Sequence, residues 1–257
     1  MPAVNDPRPK VWLVGDIEHR DFADAVALVR ATACVSHASP EVILIAESRP
    51  GMMSRREVER LRRTAPLAGV VSLCGSWCEG ETRTGRPIAG ATRLYWYEFP
   101  TWWRRQIELR AAGLCPEWAQ ADDFGLRIAD CGLASGGNVL ASAPDFDSAD
   151  AISAALSPAG YRSNWYRTGD DITSIADVSA GVWLGGQLSD TELDELAAFC
   201  RVAAPVVALA DFPRRDRHDA ARAAGAATIL GKPWSNASLR TTLQQALVAS
   251  CTTTRVA

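Results

Sequence analysis

A glycine and a lysine near the end of the chain, in Gly231-Lys232-Pro233, raise the possibility of a phosphate-binding loop. That loop has the pattern GxxxxGK followed by Ser or Thr, whose hydroxyl binds magnesium. Here five residues separate Gly225 from Gly231, and Pro233 takes the place of the hydroxyl residue. The spacing therefore argues against a nucleotide phosphate site.

Two cysteines, Cys74 and Cys78, are spaced closely enough to share a metal ion or to supply a nucleophilic thiol. A structural zinc site needs two further ligands, and the three histidines, His19, His37 and His218, stand alone in the sequence. A nucleophilic thiol needs a base within reach and a lowered pKa, and the sequence gives no evidence of either for Cys78. We therefore predict no metal, no cofactor and no catalytic residue.

The segment 75–91, GSWCEGETRTGRPIAGA, is long for a connection in a compact domain, and such connections often carry function. Its arginines have glycine neighbours that let backbone amides approach an anion, and nearby aromatic residues could form a stacking or partner-binding surface. The predicted binding residues are Trp77, Arg83, Arg86, Tyr95, Trp96, Trp102 and Trp103. Three interpretations stay open: an ordered lid whose aromatic residues pack against a sheet, a surface for a protein partner, and a small-ligand site.

Composition is typical of a globular protein of one or two domains. The chain has 257 residues, of which 47% are hydrophobic and 22% charged, and its net charge is -3. A weakly acidic chain gives no electrostatic reason to expect nucleic acid or an acidic membrane as a partner. The seven scattered cysteines suit a reducing compartment. Residues 1–10 lack the pattern of a signal peptide and no run approaches about 18 apolar residues, so we expect a cytoplasmic protein.

Apolar runs alternate with helix-compatible segments in the same order in both halves of the chain. The runs are Lys10-VWLVGD, Glu41-VILIAE, Gly69-VVSLC and Arg93-LYWYEFP in the first half, and Asn138-VLASAP, Gly181-VWLGG, Pro205-VVALA and Thr228-ILGKP in the second. A capping box follows each middle strand, Ser54-x-x-Glu57 in one half and Ser189-x-x-Glu192 in the other. Asp145 is spaced to cap a further helix. The order indicates a tandem repeat of one domain.

Strands that alternate with helices predict an α/β fold, with parallel strands joined by right-handed crossovers and helices on both faces. We place the first domain at residues 10–114 and the second at residues 137–250. The linker, residues 115–136, is polar and rich in proline and glycine, which is typical of a domain boundary.

The stretch from Pro205 to Trp234 resembles the last third of a response-regulator receiver (CheY-like) domain. In that family the fourth strand ends in Ser or Thr and the fifth ends in Lys-Pro, which Lys232-Pro233 matches. A helix that fits Asp216 to Ala224 lies between these strands. The resemblance implies two doubly wound, five-stranded parallel sheets with the flavodoxin-like strand order 2-1-3-4-5.

Receivers transfer a phosphoryl group to an Asp beside Mg²⁺, and they need clustered carboxylates for both. The resemblance places these functional positions, in the first repeat, at Asp16 for the acidic pair, Ala46 for the acceptor, Cys74 for the hydroxyl and Glu98 for the lysine. In the second repeat the positions are Ala141 and Ser142, Gly185, Ala210 and Lys232. Neither set can accept a phosphoryl group, so both repeats are interpreted as degenerate receivers.

The predicted function is a signalling or regulatory module that acts through protein partners of unknown identity and has no enzymatic activity. The alternative is a sensor for a small molecule or an anion, built on the segment 75–91 and the neighbouring aromatic residues.

Overall fold

The computed structural model describes residues 8–81, 85–119, 136–167, 170 and 177–254, and it describes residues 252–254 by their backbone alone. The chain divides into two compact units, Met1–Gly125 and Leu126–Ala257. None of the described helices is long and apolar enough to cross a membrane.

The first unit is a five-stranded sheet in which every pair of neighbouring strands is parallel. Its strands occur in the order β2-β1-β3-β4-β5. The elements are β1 (Lys10–Gly15), α1 (Ala23–Thr32), β2 (Cys34–Val35), β3 (Val42–Glu47), α2 (Arg55–Thr64), β4 (Gly69–Cys74), β5 (Thr92–Tyr95) and α3 (Phe99–Ala111), with 3₁₀ turns at Arg20–Phe22, Ser76–Cys78 and Glu117–Ala119.

The second unit repeats this topology in a parallel sheet ordered β10-β9-β8-β6-β7. Its elements are β6 (Gly137–Ser142), α4 (Phe146–Leu156), β7 (Tyr161–Tyr166), β8 (Val178–Leu184), α5 (Asp190–Val202), β9 (Val206–Ala210), α6 (Arg215–Ala223), β10 (Thr228–Gly231) and α7 (Asn236–Thr254). Numbered within each unit, both sheets have the order 2-1-3-4-5. The predicted fold class is therefore confirmed.

Both faces of each sheet are covered, as a doubly wound fold requires. Along β3, Val42 and Leu44 belong to one buried cluster, whereas Ile43 and Ile45 pack with Val58 of α2 in another. Successive side chains of a strand point to opposite faces, so each central strand contributes to two cores. This explains why the central strands read as continuous apolar runs.

The predicted helix starts are confirmed. The side chains of Ser54 and Ser189 each accept a hydrogen bond from the backbone amide of the residue three positions later. The carboxylates of Glu57 and Glu192 accept in turn from the backbone amides of Ser54 and Ser189, which completes two capping boxes. Asp145 caps α4 by accepting from the Ser148 amide. These interactions are local, which is why the sequence predicts them.

The start of the predicted linker is packed against the first unit. Trp118, in the turn Glu117–Ala119, is buried in the same cluster as Trp103. Gly69 makes room for this turn, because a Cβ there would lie 2.1 Å from the Trp118 carbonyl oxygen. Residues 120–135, which make up most of the predicted linker, lie outside the described residues.

Candidate functional site

The carboxyl edge of the second sheet holds Lys232, directly after β10. Its Nζ donates to the Gly185 carbonyl at 2.6 Å and forms an ion pair with Asp211 Oδ1 at 2.9 Å. Gly185 directly follows β8, and Asp211 directly follows β9. The amine is thus held by the neighbouring strand ends, with a carbonyl oxygen and a carboxylate as its partners.

A tryptophan ring occupies the space beside Gly185. An added Cβ at this glycine would lie 2.0 Å from Cη2 and 2.2 Å from Cζ3 of Trp183. The indole is buried with Leu188 and Phe199 in one of the two cores of the unit. A side chain at position 185 would therefore collide with a ring that the core holds in place.

Glu192 supplies a further acidic group at this edge. It accepts hydrogen bonds from the amides of Gly186 at 2.5 Å and Ser189 at 2.8 Å. Burial acts to raise the pKa of Glu192, but the two amides and the charge of Lys232 lower it overall. Ala210, at the hydroxyl position, is buried, and Ser142 is half-buried at the end of β6.

The carboxyl edge of the first sheet keeps one acidic residue at the end of β1. Asp16 accepts a hydrogen bond from Ser48 Oγ at 2.6 Å, and its amide donates to the Ala46 carbonyl at 3.0 Å. The Ala46 side chain is buried in the core cluster that includes Trp96. The position that the resemblance assigns to the acceptor therefore carries only a methyl group inside the core.

Glu98 occupies the position that the resemblance assigns to the lysine. Its Oε2 accepts from the Tyr95 amide at 3.0 Å, immediately before α3 begins. Burial raises the pKa of Glu98, and the hydrogen bond from Tyr95 offsets only part of that rise. This edge thus has a carboxyl group where a receiver has a cation.

The prediction that Trp96 and Trp103 belong to an aromatic binding surface is wrong. Both are buried in the core of the first unit, where Trp103 stacks on Phe99 with ring centroids 5.6 Å apart and on Trp118 at 5.1 Å. Trp103 lies on the face of α3 that packs in this core, and Trp96 directly follows β5, before α3 begins. Trp102 packs against this core and is half-buried.

The remaining predicted binding residues differ in exposure. Trp77 is 62% exposed and Arg86 is exposed. Tyr95 is half-buried and stacks on Tyr97, with ring centroids 5.6 Å apart. Arg83 lies outside the described residues. Among the described residues of the predicted surface, Trp77 and Arg86 are therefore the exposed ones, whereas Tyr95 and Trp102 are half-buried.

Two contacts anchor the segment 75–91 to the body of the first unit. The buried carboxylate of Asp21 accepts from both the amide and the hydroxyl of Ser76 at 2.9 Å. At the far end, Arg62 of α2 donates to the carbonyls of residues 89 and 90. The described ends of this segment are thus fixed to the unit, as expected for an ordered lid.

A buried polar cluster beneath this segment was not predicted from the sequence. Arg93 pairs with Glu81 at 2.7 Å and donates to the Cys78 carbonyl at 2.8 Å. Ser72 donates to Glu47 at 2.8 Å. Burial raises the pKa of Glu47, although the hydrogen bond from Ser72 opposes this shift. The available signal was the presence of charged residues within or at the end of apolar strands.

Comparisons with known proteins give matches to solved structures alone. No family model matches the chain, and no curated protein matches it. The chain is similar to several solved structures, which include NtrX from Brucella abortus at 19% identity and a TM-score of 0.40. That match covers 48% of this chain and 28% of NtrX.

Two isolated receivers are matched over nearly their whole length. A receiver domain of a Francisella response regulator shows 16% identity and a TM-score of 0.36, with 44% of this chain and 98% of that chain covered. A receiver protein from Pseudoalteromonas atlantica shows 18% identity and a TM-score of 0.37, again covering 44% and 98%. The two sheets of this chain, each ordered 2-1-3-4-5, have the topology of the CheY-like fold.

Proposed function

We propose that this chain is a signalling or regulatory module that binds protein partners through two receiver-like domains, neither of which accepts a phosphoryl group in the receiver manner. The receiver-like fold of both units supports the proposed role as a signalling or regulatory module. The observation that carries the absence of phosphoryl transfer is the Trp183 ring, which fills the space that a side chain at Gly185 would need.

The chemistry of the two sheet edges supports the absence of phosphoryl transfer. A phosphoryl acceptor needs a carboxylate beside a bound cation, and neither Ala46 nor Gly185 has one. The Lys232 amine, which would neutralise the phosphoryl group in a receiver, is paired with Asp211 and the Gly185 carbonyl. In the first unit, Glu98 would add negative charge to this place.

The partner surface is proposed to include the exposed part of the segment 75–91. Trp77 is 62% exposed on a turn whose two ends are anchored by Asp21 and by Arg93. An exposed tryptophan on a fixed turn is suited to binding a partner, because little conformational entropy is lost when it is buried. The exposed Arg86 adds a positive charge to the same segment.

The first experiment tests phosphoryl transfer. We expect intact-mass spectrometry to detect no phosphoryl adduct after the protein is incubated with acetyl phosphate and Mg²⁺. An acid-labile adduct would contradict the proposal. If one appeared, the Asp16→Asn variant would show whether the remaining carboxylate at the end of β1 had accepted it.

The second experiment tests partner binding by affinity capture from native lysate. We expect Trp77→Ala to reduce recovery of a specific partner at least several-fold. The matched control is Leu67→Ala, which removes a 96% exposed apolar side chain elsewhere on the same unit and should leave recovery unchanged. Equal recovery with both variants would place the partner surface elsewhere.

A sensor of a small molecule or an anion is the second candidate, and the exposed Arg86 favours it. Such a site would bind the anion through the guanidinium and neighbouring backbone amides. A ligand that copurifies with the wild-type protein and is lost from Arg86→Ala would support this candidate over a protein partner.

A further inference from the structure

Two thiols lie side by side under the segment 75–91. Cys74 is the last residue of β4, and Cys78 is the last residue of the 3₁₀ turn Ser76–Cys78. Both side chains are fully buried. Cys78 Sγ lies 3.2 Å from the Glu47 carbonyl oxygen, and Cys74 is paired with Glu47 in the sheet. The turn therefore brings together two sulfur atoms that the chain separates by three residues.

Polar groups hold this pair in place. Cys78 Sγ donates to the Glu47 carbonyl at 3.2 Å, and the Ser72 hydroxyl lies 3.4 Å from Cys74 Sγ. Arg93 donates to the Cys78 carbonyl at 2.8 Å, which fixes the backbone of the turn. Each thiol thus has a defined position relative to the other.

The same contacts make the two thiols chemically unequal. The proximity of Cys78 is the largest influence on Cys74 and, together with Ser72 and Arg93, lowers the pKa of Cys74 despite burial. The pKa of Cys78 is raised, first by the neighbouring Cys74 and then by burial. A lowered pKa increases the fraction of thiolate, which is the form that oxidants attack. Cys74 is therefore the thiol that reacts first.

We propose that Cys74 and Cys78 are an oxidation site that forms a reversible disulfide within the first unit. Because both sulfur atoms are buried, the oxidant must be small and uncharged, and hydrogen peroxide meets both requirements. This chemistry does not depend on whether the chain binds a protein partner.

The reaction balances in two steps. The Cys74 thiolate attacks one oxygen of hydrogen peroxide, the O–O bond breaks, and Cys74 becomes a sulfenic acid while hydroxide leaves. Cys78 then loses its proton to that hydroxide, and its sulfur attacks the sulfur of the sulfenic acid. The S–O bond breaks, the S–S bond forms, and the departing hydroxide takes up the proton that Cys74 released when it ionised, which gives the second water. Overall, two thiols are oxidised and one peroxide is reduced to two waters.

The disulfide would change the turn that carries Trp77. In the reduced protein Cys78 donates a hydrogen bond to Glu47, and a disulfide has no S–H group to make it. The Glu47 carbonyl keeps the Gly75 amide as a donor at 2.9 Å, so the loss of this contact acts on Cys78 and on the turn that holds it. Oxidation would thus alter the presentation of the exposed Trp77, which directly precedes Cys78 in the turn.

Peptide mapping tests the proposal, because one tryptic peptide, residues 64–83, contains both cysteines and no other. We expect peroxide treatment of the folded full-length protein to lower the mass of this peptide by about 2 Da, and a thiol reductant to restore it. In Cys78→Ser, Cys74 cannot form this disulfide. The peptide should then carry a sulfenic acid that a dimedone-type probe captures, with no loss of about 2 Da.

Three results would overturn the proposal. The peptide could gain oxygen in the folded wild type, which would mean that Cys78 does not resolve the sulfenic acid. It could stay reduced while the urea-unfolded chain is oxidised, which would mean that burial excludes peroxide. The urea-unfolded chain could form the Cys74–Cys78 disulfide as readily as the folded one, which would mean that the fold does not favour the pair. Circular dichroism of Cys78→Ser and Cys78→Ala, which should match the wild type, separates these results from misfolding.

Discussion

Replacing Gly185 with Ala adds one methyl group at the place that Trp183 occupies. The new Cβ would lie 2.0 Å from Cη2 and 2.9 Å from Cζ2 of the indole, far inside van der Waals contact. The backbone at Gly185 is outside the left-handed region, so an L-residue fits it without strain. The collision with the ring is therefore the main expected effect of the substitution.

The sign of the stability change is informative. Where space is available, replacing Gly by Ala stabilises a protein by about 0.4–1 kcal/mol, because the unfolded chain loses freedom. An overpacked core loses about 1–3 kcal/mol. Trp183 is only 3% exposed and packs against Leu188 and Phe199, so its ring has little room to move aside. We expect Gly185→Ala to destabilise the second unit by about 1–3 kcal/mol.

Urea denaturation of the full chain, followed by far-UV circular dichroism, measures this change. A double-mutant cycle supplies the matched control, since Gly185→Ala should become neutral or stabilising when it is made in the Trp183→Leu background. The coupling between the two sites should equal most of the loss.

The reasoning is refuted if Gly185→Ala is as stable as the wild type or more stable, with an unchanged urea dependence. The ring would then not block the position. An Asp could be introduced at 185 without steric cost, and the argument against phosphoryl transfer in the second unit would rest on the missing carboxylate alone.

Two further predictions concern the buried polar cluster of the first unit. Arg93→Ala should lower the unfolding free energy by about 3–5 kcal/mol, because it leaves the buried Glu81 without its cation. The control, Arg86→Ala at an exposed position, should cost under about 0.5 kcal/mol. Equal costs in urea denaturation would show that Arg93 does not anchor the segment 75–91. Burial raises the pKa of Glu47 above 4.5, so the folded state binds this proton more tightly than the unfolded state does. The free energy of unfolding should therefore fall as pH rises from 4.5 through the pKa of Glu47 in the folded protein. Glu47→Gln should remove this contribution, and identical pH profiles of stability for both proteins would contradict the raised pKa of Glu47.

The repeated series of strands and the helix starts were predictable because their signals are local or repeated, whereas the strand order was implied only by the resemblance to receivers. The same series of apolar runs occurs twice, and the capping residues Ser54, Ser189 and Asp145 act within one turn of their helices. The exposure of aromatic residues was not predictable in this way. Whether Trp103 faces water or the sheet depends on how α3 packs, which no pattern within Phe99–Ala111 determines.

The buried polar cluster depends on the register of three strands. In the sheet, Glu47 is paired with Cys74, and Ser72 with Arg93. These residues are separated by more than twenty positions along the chain, and a shift of one residue in any strand would turn a side chain to the other face. The sequence shows that these charged residues are present, but only the register brings them into contact.

The packing of Trp118 against Trp103 changes where the first domain can be divided from the second. A chain cut after Leu114 would remove the turn Glu117–Ala119 and leave the Trp103 side of the core, together with the hollow over Gly69, open to water. Such a fragment would expose a broad apolar area and tend to aggregate. A fragment that continues through Ala119 retains the turn that covers Trp103 and Gly69, so a description of the first domain should extend to Ala119 or beyond.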